Sequence, residues 1–230
     1  MKTIYLTVFF CIIGIGVKSQ KNFIGTLIYE SSKKTISSKV SLTEETPDKI
    51  VISVDKGHIR IEHFPSSEYA KTNVTTIFNL EDNSIVQLFN DSYGKFAVIF
   101  SKEKLDSLKC TNNCQRIKEI RYAGKTKKLL NYKCKEAEIY FANNSNKLNL
   151  YYIPQISVPK ELNNYFGFGE INGVLFQCSY YLTTTEKFIV TKTLNEIIFS
   201  DNQLDPSLFV IPDDYEIMES FDDYLEKTRR

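Results

Sequence analysis

The side chains able to do chemistry in this chain are sparse: five cysteines and two histidines in 230 residues. Cys110 and Cys114 flank Thr111-Asn112-Asn113, Cys134 sits inside Leu130-Asn-Tyr-Lys-Cys-Lys-Glu-Ala-Glu-Ile-Tyr-Phe141, and Cys178 lies in a later apolar run. Such a thiol can be a nucleophile, a metal ligand, a lipid attachment point or half of a disulfide. Zinc sites use cysteines two to four residues apart together with a second pair of ligands, and Cys110-x3-Cys114 has that first spacing. Cys134 and Cys178 have no close second ligand, and His58 and His63, an odd number of positions apart, fall on opposite faces of a regular strand. The expectation is therefore no metal and no cofactor.

His58, Arg60 and Glu62 do share one strand face, which could grip a ligand or assist catalysis. Their alternation with Ile59 and Ile61 favours a solvated outer face with an ion pair. The chain has no Gly-x-Ser-x-Gly elbow and no Gly-x-x-x-x-Gly-Lys-Ser/Thr phosphate loop. These absences argue against an enzyme. Twenty-nine Lys and Arg balance 28 Asp and Glu for a net charge of +1, which leaves no electrostatic footprint for nucleic acid.

The N-terminus sets the compartment. Met1-Lys2 is a short positive region, residues 3–17 are apolar, and Val17-Lys18-Ser19 precedes Gln20 in the layout of a secretory signal peptide. The apolar run of about 15 residues is shorter than the roughly 20 that span a bilayer. Cys11 lies within that run behind Val8-Phe9-Phe10, where a lipidation site would want a small residue, so it belongs to the discarded segment. The organisation that follows is a signal peptide at 1–19, a single β-rich domain at 20–217, and a charged tail or short helix at 218–230. The protein is expected to be exported, to the periplasm or beyond, with no transmembrane segment after cleavage. Disulfides persist in that setting, so Cys110, Cys114, Cys134 and Cys178 form an even set with three possible connectivities. Cys110 with Cys114 and Cys134 with Cys178 is the favoured one.

Sixteen Phe and 14 Tyr, with no Trp, suit sheets with one buried face. Residues 49–54 alternate Ile50, Ile52 and Val54 with polar partners, turn at Asp55-Lys56-Gly57, and resume at Ile59 and Ile61 as a hairpin. Strands are further expected at 23–30, 74–80, 85–89, 95–100, 127–134, 136–141, 147–153, 174–182 and 187–199, with Asn-rich turns between several of them. Helices are expected near 102–108, at 159–165, at the turn opened by Asp205-Pro206 with Asp as cap, and at 221–230.

The order Gly25-Thr-Leu-Ile-Tyr-Glu30, Lys56-Gly-His-Ile-Arg-Ile-Glu62, Thr76-Ile-Phe-Asn-Leu80, Leu130-Asn-Tyr-Lys-Cys-Lys-Glu-Ala137, Leu150-Tyr-Tyr-Ile-Pro-Gln-Ile156 and Asn172-Gly-Val-Leu175 resembles uncharacterised secreted envelope proteins of the lipoprotein-carrier (LolA/LolB-like) fold. It is more distantly similar to the family named for its Gly-Leu-Pro-Gly-Leu-Ile motif, although Gly169-Glu-Ile-Asn-Gly-Val-Leu175 here lacks the proline and spaces its glycines differently. The resemblance implies a mainly β (α+β) fold, a curved antiparallel sheet or unclosed half-barrel whose concave apolar face is lidded by a few short helices.

On that fold, the aromatic clusters read as the wall of a pocket for an acyl chain or similar cargo. The side chains expected to line it are Phe78, Leu88, Phe89, Phe100, Tyr152, Phe166, Phe168 and Phe176, with the glycines around Phe168 letting that segment move as a flap. The leading expectation is a non-catalytic cell-envelope protein that binds or carries a hydrophobic, lipid-like ligand, with an envelope protein as a possible partner. A structural or protein-interaction module with a filled core is the alternative, and a secreted hydrolase the third.

Overall fold

Ile50, Ile52, Val54, Ile59 and Ile61 are all fully buried, and the two strands that carry them pair Ile52 with Ile61 and Val54 with Ile59. That alternation builds most of the molecule. The computed structural model describes residues 21–35, 47–65, 73–101, 117–142, 147–181 and 188–228. The expected signal segment, Cys110, Cys114 and the helix expected at 102–108 lie outside them.

The strands are β1 (Lys21–Asn22), β2 (Gly25–Thr35), β3 (Pro47–Val54), β4 (His58–Pro65), β5 (Asn73–Asn79), β6 (Ser84–Asp91) and β7 (Gly94–Ser101). They continue with β8 (Ile117–Leu129), β9 (Tyr132–Phe141), β10 (Lys147–Ile153), β11 (Ile156–Ser157), β12 (Val174–Tyr181), β13 (Phe188–Phe199) and β14 (Glu216–Met218). Two α-helices are described, α1 (Lys160–Tyr165) and α2 (Phe221–Thr228), with a 3-10 turn at Pro206–Phe209. Asp205 caps that turn as its sequence suggested, accepting from Ser207 N at 2.9 Å. None of the described helices is long and apolar enough to cross a membrane.

Twelve strands form one unclosed sheet in the order β14-β7-β6-β5-β4-β3-β2-β13-β12-β10-β9-β8. All neighbours are antiparallel except β14, which lies parallel to β7. The meander β2 to β7 makes one half. The second half is anchored to it because β13 returns to pair with β2 from Phe199 opposite Gly25 to Phe188 opposite Thr35.

The strand expected at 127–134 is instead two strands and a turn. Leu130 and Asn131 both have positive φ, 43° and 65°, the left-handed pair that a two-residue type I′ hairpin requires. Asn tolerates that conformation and Leu does not advertise it, so the turn was hidden. β8, which precedes it, is an edge strand whose exposed Lys118, Arg121, Lys125, Lys127 and Lys128 discourage edge-to-edge pairing.

One apolar cluster runs across the inner face from Val98 and Phe100 through Leu27, Tyr29 and Leu194 to Leu150 and Ile139. Leu162 and Phe166 cover it around α1, and Tyr224 of α2 stacks on Phe89 at 4.3 Å. A smaller cluster of Ile77, Leu88 and Ala97 occupies the outer face under Phe209, Ile211 and Tyr215. The C-terminal segment reaches that outer face by way of Leu204 N, which donates to Asp55 Oδ2 at 3.2 Å. Arg60 Nη1 then donates to Leu208 O at 2.8 Å.

Gly25 holds the β2–β13 seam closed. Its φ is +147° and a Cβ there would lie 2.0 Å from Ile198 O. Gly25→Ala should therefore destabilise by about 3 kcal/mol or more through strain and steric overlap. Gly124→Ala, at φ +67° with nothing within 4 Å of its Cβ, should cost only about 1 kcal/mol. Urea denaturation of the two variants measures the contrast.

Candidate functional site

The candidate site lies under α1, on the inner face where β4, β2, β13 and β12 present side chains to it. Pro159 stops the chain that leaves β11, and Leu162 N donates back to Pro159 O at 3.1 Å to start the six-residue helix. Asn163, 2% exposed, turns inward and donates through Nδ2 to Ile171 O at 2.8 Å and Gly173 O at 2.9 Å. Phe168 N donates to Asn163 O at 2.8 Å. These bonds make α1 and the loop that carries Phe168 one tied unit.

Polar side chains converge beneath this unit. Lys192 of β13, 8% exposed, stands directly opposite Cys178 on one neighbouring strand and Ser31 on the other. Cross-strand partners share a face and bring their Cβ atoms to about 5 Å. The Lys192 ammonium lies 5.0 Å from the Phe166 ring centre and 5.9 Å from that of Tyr165. The Tyr165 hydroxyl and His63 Nε2 share a short hydrogen bond. Ser31 Oγ is buried with no hydrogen-bond partner. Tyr29 donates its hydroxyl to Leu175 O at 2.7 Å and packs its ring, tilted by 51°, with its centre 5.2 Å from that of Phe166.

Burial governs the ionisation of these groups. His63 is lowered to about 4, chiefly by desolvation and then by the nearby Lys192 charge. Lys192 is itself lowered by desolvation. Burial pushes the Cys178 thiol up to about 12 and the Cys134 thiol up to about 11. Neither is an activated thiolate at neutral pH.

Cys134 and Cys178 are both free and buried, which corrects the expected bridge between them. They stand on β9 and β12 with β10 between. Two inter-strand steps of about 4.8 Å exceed the roughly 7 Å limit for bridging Cα atoms. Cys110 and Cys114 lie outside the described residues.

Phe78, Phe89, Phe100, Tyr152, Phe166, Phe168 and Phe176, expected to line a pocket, all fall in the inner cluster and are 2–8% exposed. Leu88 does not join them, because it belongs to the outer cluster. An open cleft of about 310 Å³ runs between β8 and the α1 unit, bordered by Ile117, Ile120, Asn164, Phe168 and Glu170 among others. The His58, Arg60, Glu62 row faces outward as the alternation implied, but it is not a wet surface. His58 stacks on Phe209 at 5.2 Å, and the Arg60–Glu62 ion pair at 3.0 Å sits beneath the C-terminal segment. Among the described residues no three His, Cys, Asp or Glu side chains are grouped to hold a metal.

Sequence reading missed Lys192, Ser31 and Tyr165 and did not place His63 in a site. The signal was available in two of them. Val190-x-Lys192-x-Leu194 and Ile59-x-Ile61-x-His63 each put a polar residue at the buried phase of an alternating strand.

The unfolded chain takes up a proton at His63 near pH 6.5, and the folded chain refuses it until about pH 4. Stability is therefore full above pH 6.5 and falls as pH drops towards 4, by on the order of 3 kcal/mol from this group. Denaturation at pH 7 and pH 4.5 should show His63→Gln with the shallower loss.

No family model matches the chain, and no curated protein matches it. It is similar to a solved structure of PNGF-II with 13% identity and a TM-score of 0.45, an alignment that covers 89% of this chain and 34% of that one. The chain thus spans about a third of that structure's length.

Proposed function

We propose that this is an exported, non-catalytic cell-envelope protein of the lipoprotein-carrier-like half-barrel type, which binds or carries a hydrophobic, lipid-like ligand on the inner face of its sheet. One observation carries the reading: Lys192, Ser31, His63 and Tyr165 converge under α1 on a face that is otherwise apolar and aromatic. A mainly apolar wall with a few convergent polar groups is the usual make-up of small-molecule sites. The α1 unit is the entry. It is internally tied through Asn163, has no side-chain N-cap, and is bounded by Pro159 and by Gly173 at φ +139°.

The packing of Phe78, Phe89, Phe100, Tyr152, Phe166, Phe168 and Phe176 at 8% exposure or less supports a second reading, a structural or interaction module with a filled core. Fluorescence of N-phenyl-1-naphthylamine separates the two. A carrier should enhance the dye's emission saturably, release it to a single-chain amphiphile, and yield co-purifying amphiphile on organic extraction after export through its own N-terminal segment. A filled module would bind no dye and yield no amphiphile.

A further inference from the structure

Five lysines crowd one end of the sheet. Lys125, Lys127 and Lys128 on β8 and Lys133 and Lys135 on β9 are all exposed, and residues 125–135 include no Asp or Glu. A chain whose formal net charge is +1 thus carries +5 here and −4 over the rest of its length. The register sets Lys128 directly opposite Lys133, and like charges in that position repel. Among the described residues none of the five forms an ion pair. The Lys127 ammonium lies 5.6 Å from the Tyr151 ring centre, and Lys125 is within electrostatic reach of Glu138. Protection of a sheet edge accounts for the lysines of β8. It does not account for Lys133 and Lys135, because β9 is an interior strand between β8 and β10.

The turn between these strands is apolar. Leu130 is 45% exposed, and its φ of 43° is one that Asn or Gly adopts readily and leucine only under strain. β10 follows β9 only as far as Tyr152 opposite Lys135, so the turn residues stand beyond that ladder. Lys127 and Lys128 are adjacent and point to opposite faces of the hairpin, which puts positive charge all round the tip and not along one face. An exposed leucine ringed by ammonium groups has the chemistry of a contact with a bilayer: the apolar side chain enters the acyl boundary while the lysines meet anionic head groups. A soluble polyanion would use the lysines and leave Leu130 in water.

We propose that the β8–β9 hairpin docks this protein end-on, peripherally and reversibly, on a bilayer containing anionic phospholipid, with Leu130 inserted and Lys125, Lys127, Lys128, Lys133 and Lys135 on the head groups. The contact is independent of any ligand on the inner face of the sheet.

The test sediments the protein, purified after export through its own N-terminal segment, with sucrose-loaded vesicles of phosphatidylcholine alone or with about one-third phosphatidylglycerol. Binding should be at least about tenfold stronger on the anionic vesicles and should be lost at about 1 M salt, where the screening length falls to about 3 Å. Lys128→Gln combined with Lys133→Gln should weaken it about twentyfold, at about fivefold per lysine. That variant should be no less stable than the wild type, since it removes a repulsion. Leu130→Asn suits the turn better, so its melting temperature should equal or exceed that of the wild type while binding to the anionic vesicles falls about threefold or more. Equal binding to both vesicles would overturn the proposal, as would anionic binding that survives the paired lysine substitutions. Lysine-dependent binding that Leu130→Asn leaves at the wild-type level would assign the patch to a soluble polyanion and overturn the membrane contact.

Discussion

The β2–β13 ladder is the interaction on which everything else depends. It joins the second strand of the described chain to the last long one, from Gly25–Phe199 to Thr35–Phe188 with one bulge between Leu194 and Glu196, and among the described residues it is the only seam between the β3–β7 half and the β8–β12 half of the sheet. Neither half alone encloses the inner cluster. Because the paired residues stand more than 150 positions apart, the seam forms only after a large loss of chain entropy. Full burial of Leu27 on the seam, and of Ile50, Ile52, Val174 and Leu175 on the strands that flank it, offsets that loss.

The candidate site sits on this same seam. Ser31 and Lys192 are a ladder pair of β2 and β13, and Tyr29, one pleat along, ties β2 to β12 through its hydrogen bond to Leu175 O. Lys192 and Ser31 are thus held by the long ladder itself, His63 by β4, and Tyr165 by the six-residue helix that covers them. The outer face follows the opposite logic. There the C-terminal segment crosses β4 to β7, seals Ile77, Leu88 and Ala97, and occupies Arg60 and His58 in structural contacts.

The strands of the meander were legible because their apolar residues recur every second position and their turns carry Gly, Asn or Asp. The Leu130-Asn131 turn was not, since leucine at φ 43° carries no turn signature. Leu88 was misassigned for a simpler reason: Leu88 and Phe89 are adjacent, so they point to opposite faces, and in this sheet both faces are covered. The cysteines suggested a bridge because their number is even; strand order, which no spacing reveals, separates Cys134 from Cys178. The site was hidden in the same way. Lys192 and His63 each stand out within their own strand, but only the pairing of distant strands and the placement of Tyr165 bring them together.

The chain has two histidines, and the fold puts them on opposite faces, His63 under α1 and His58 against Phe209. A long-range nitrogen–proton NMR spectrum of the imidazole rings, recorded at pH 7 with and without dodecanoate, therefore carries its own control. The account predicts that the His63 resonances move on ligand addition while those of His58 stay in place. Unmoved His63 resonances at a saturating ligand concentration, or equal movement of both rings, would contradict an inner-face site.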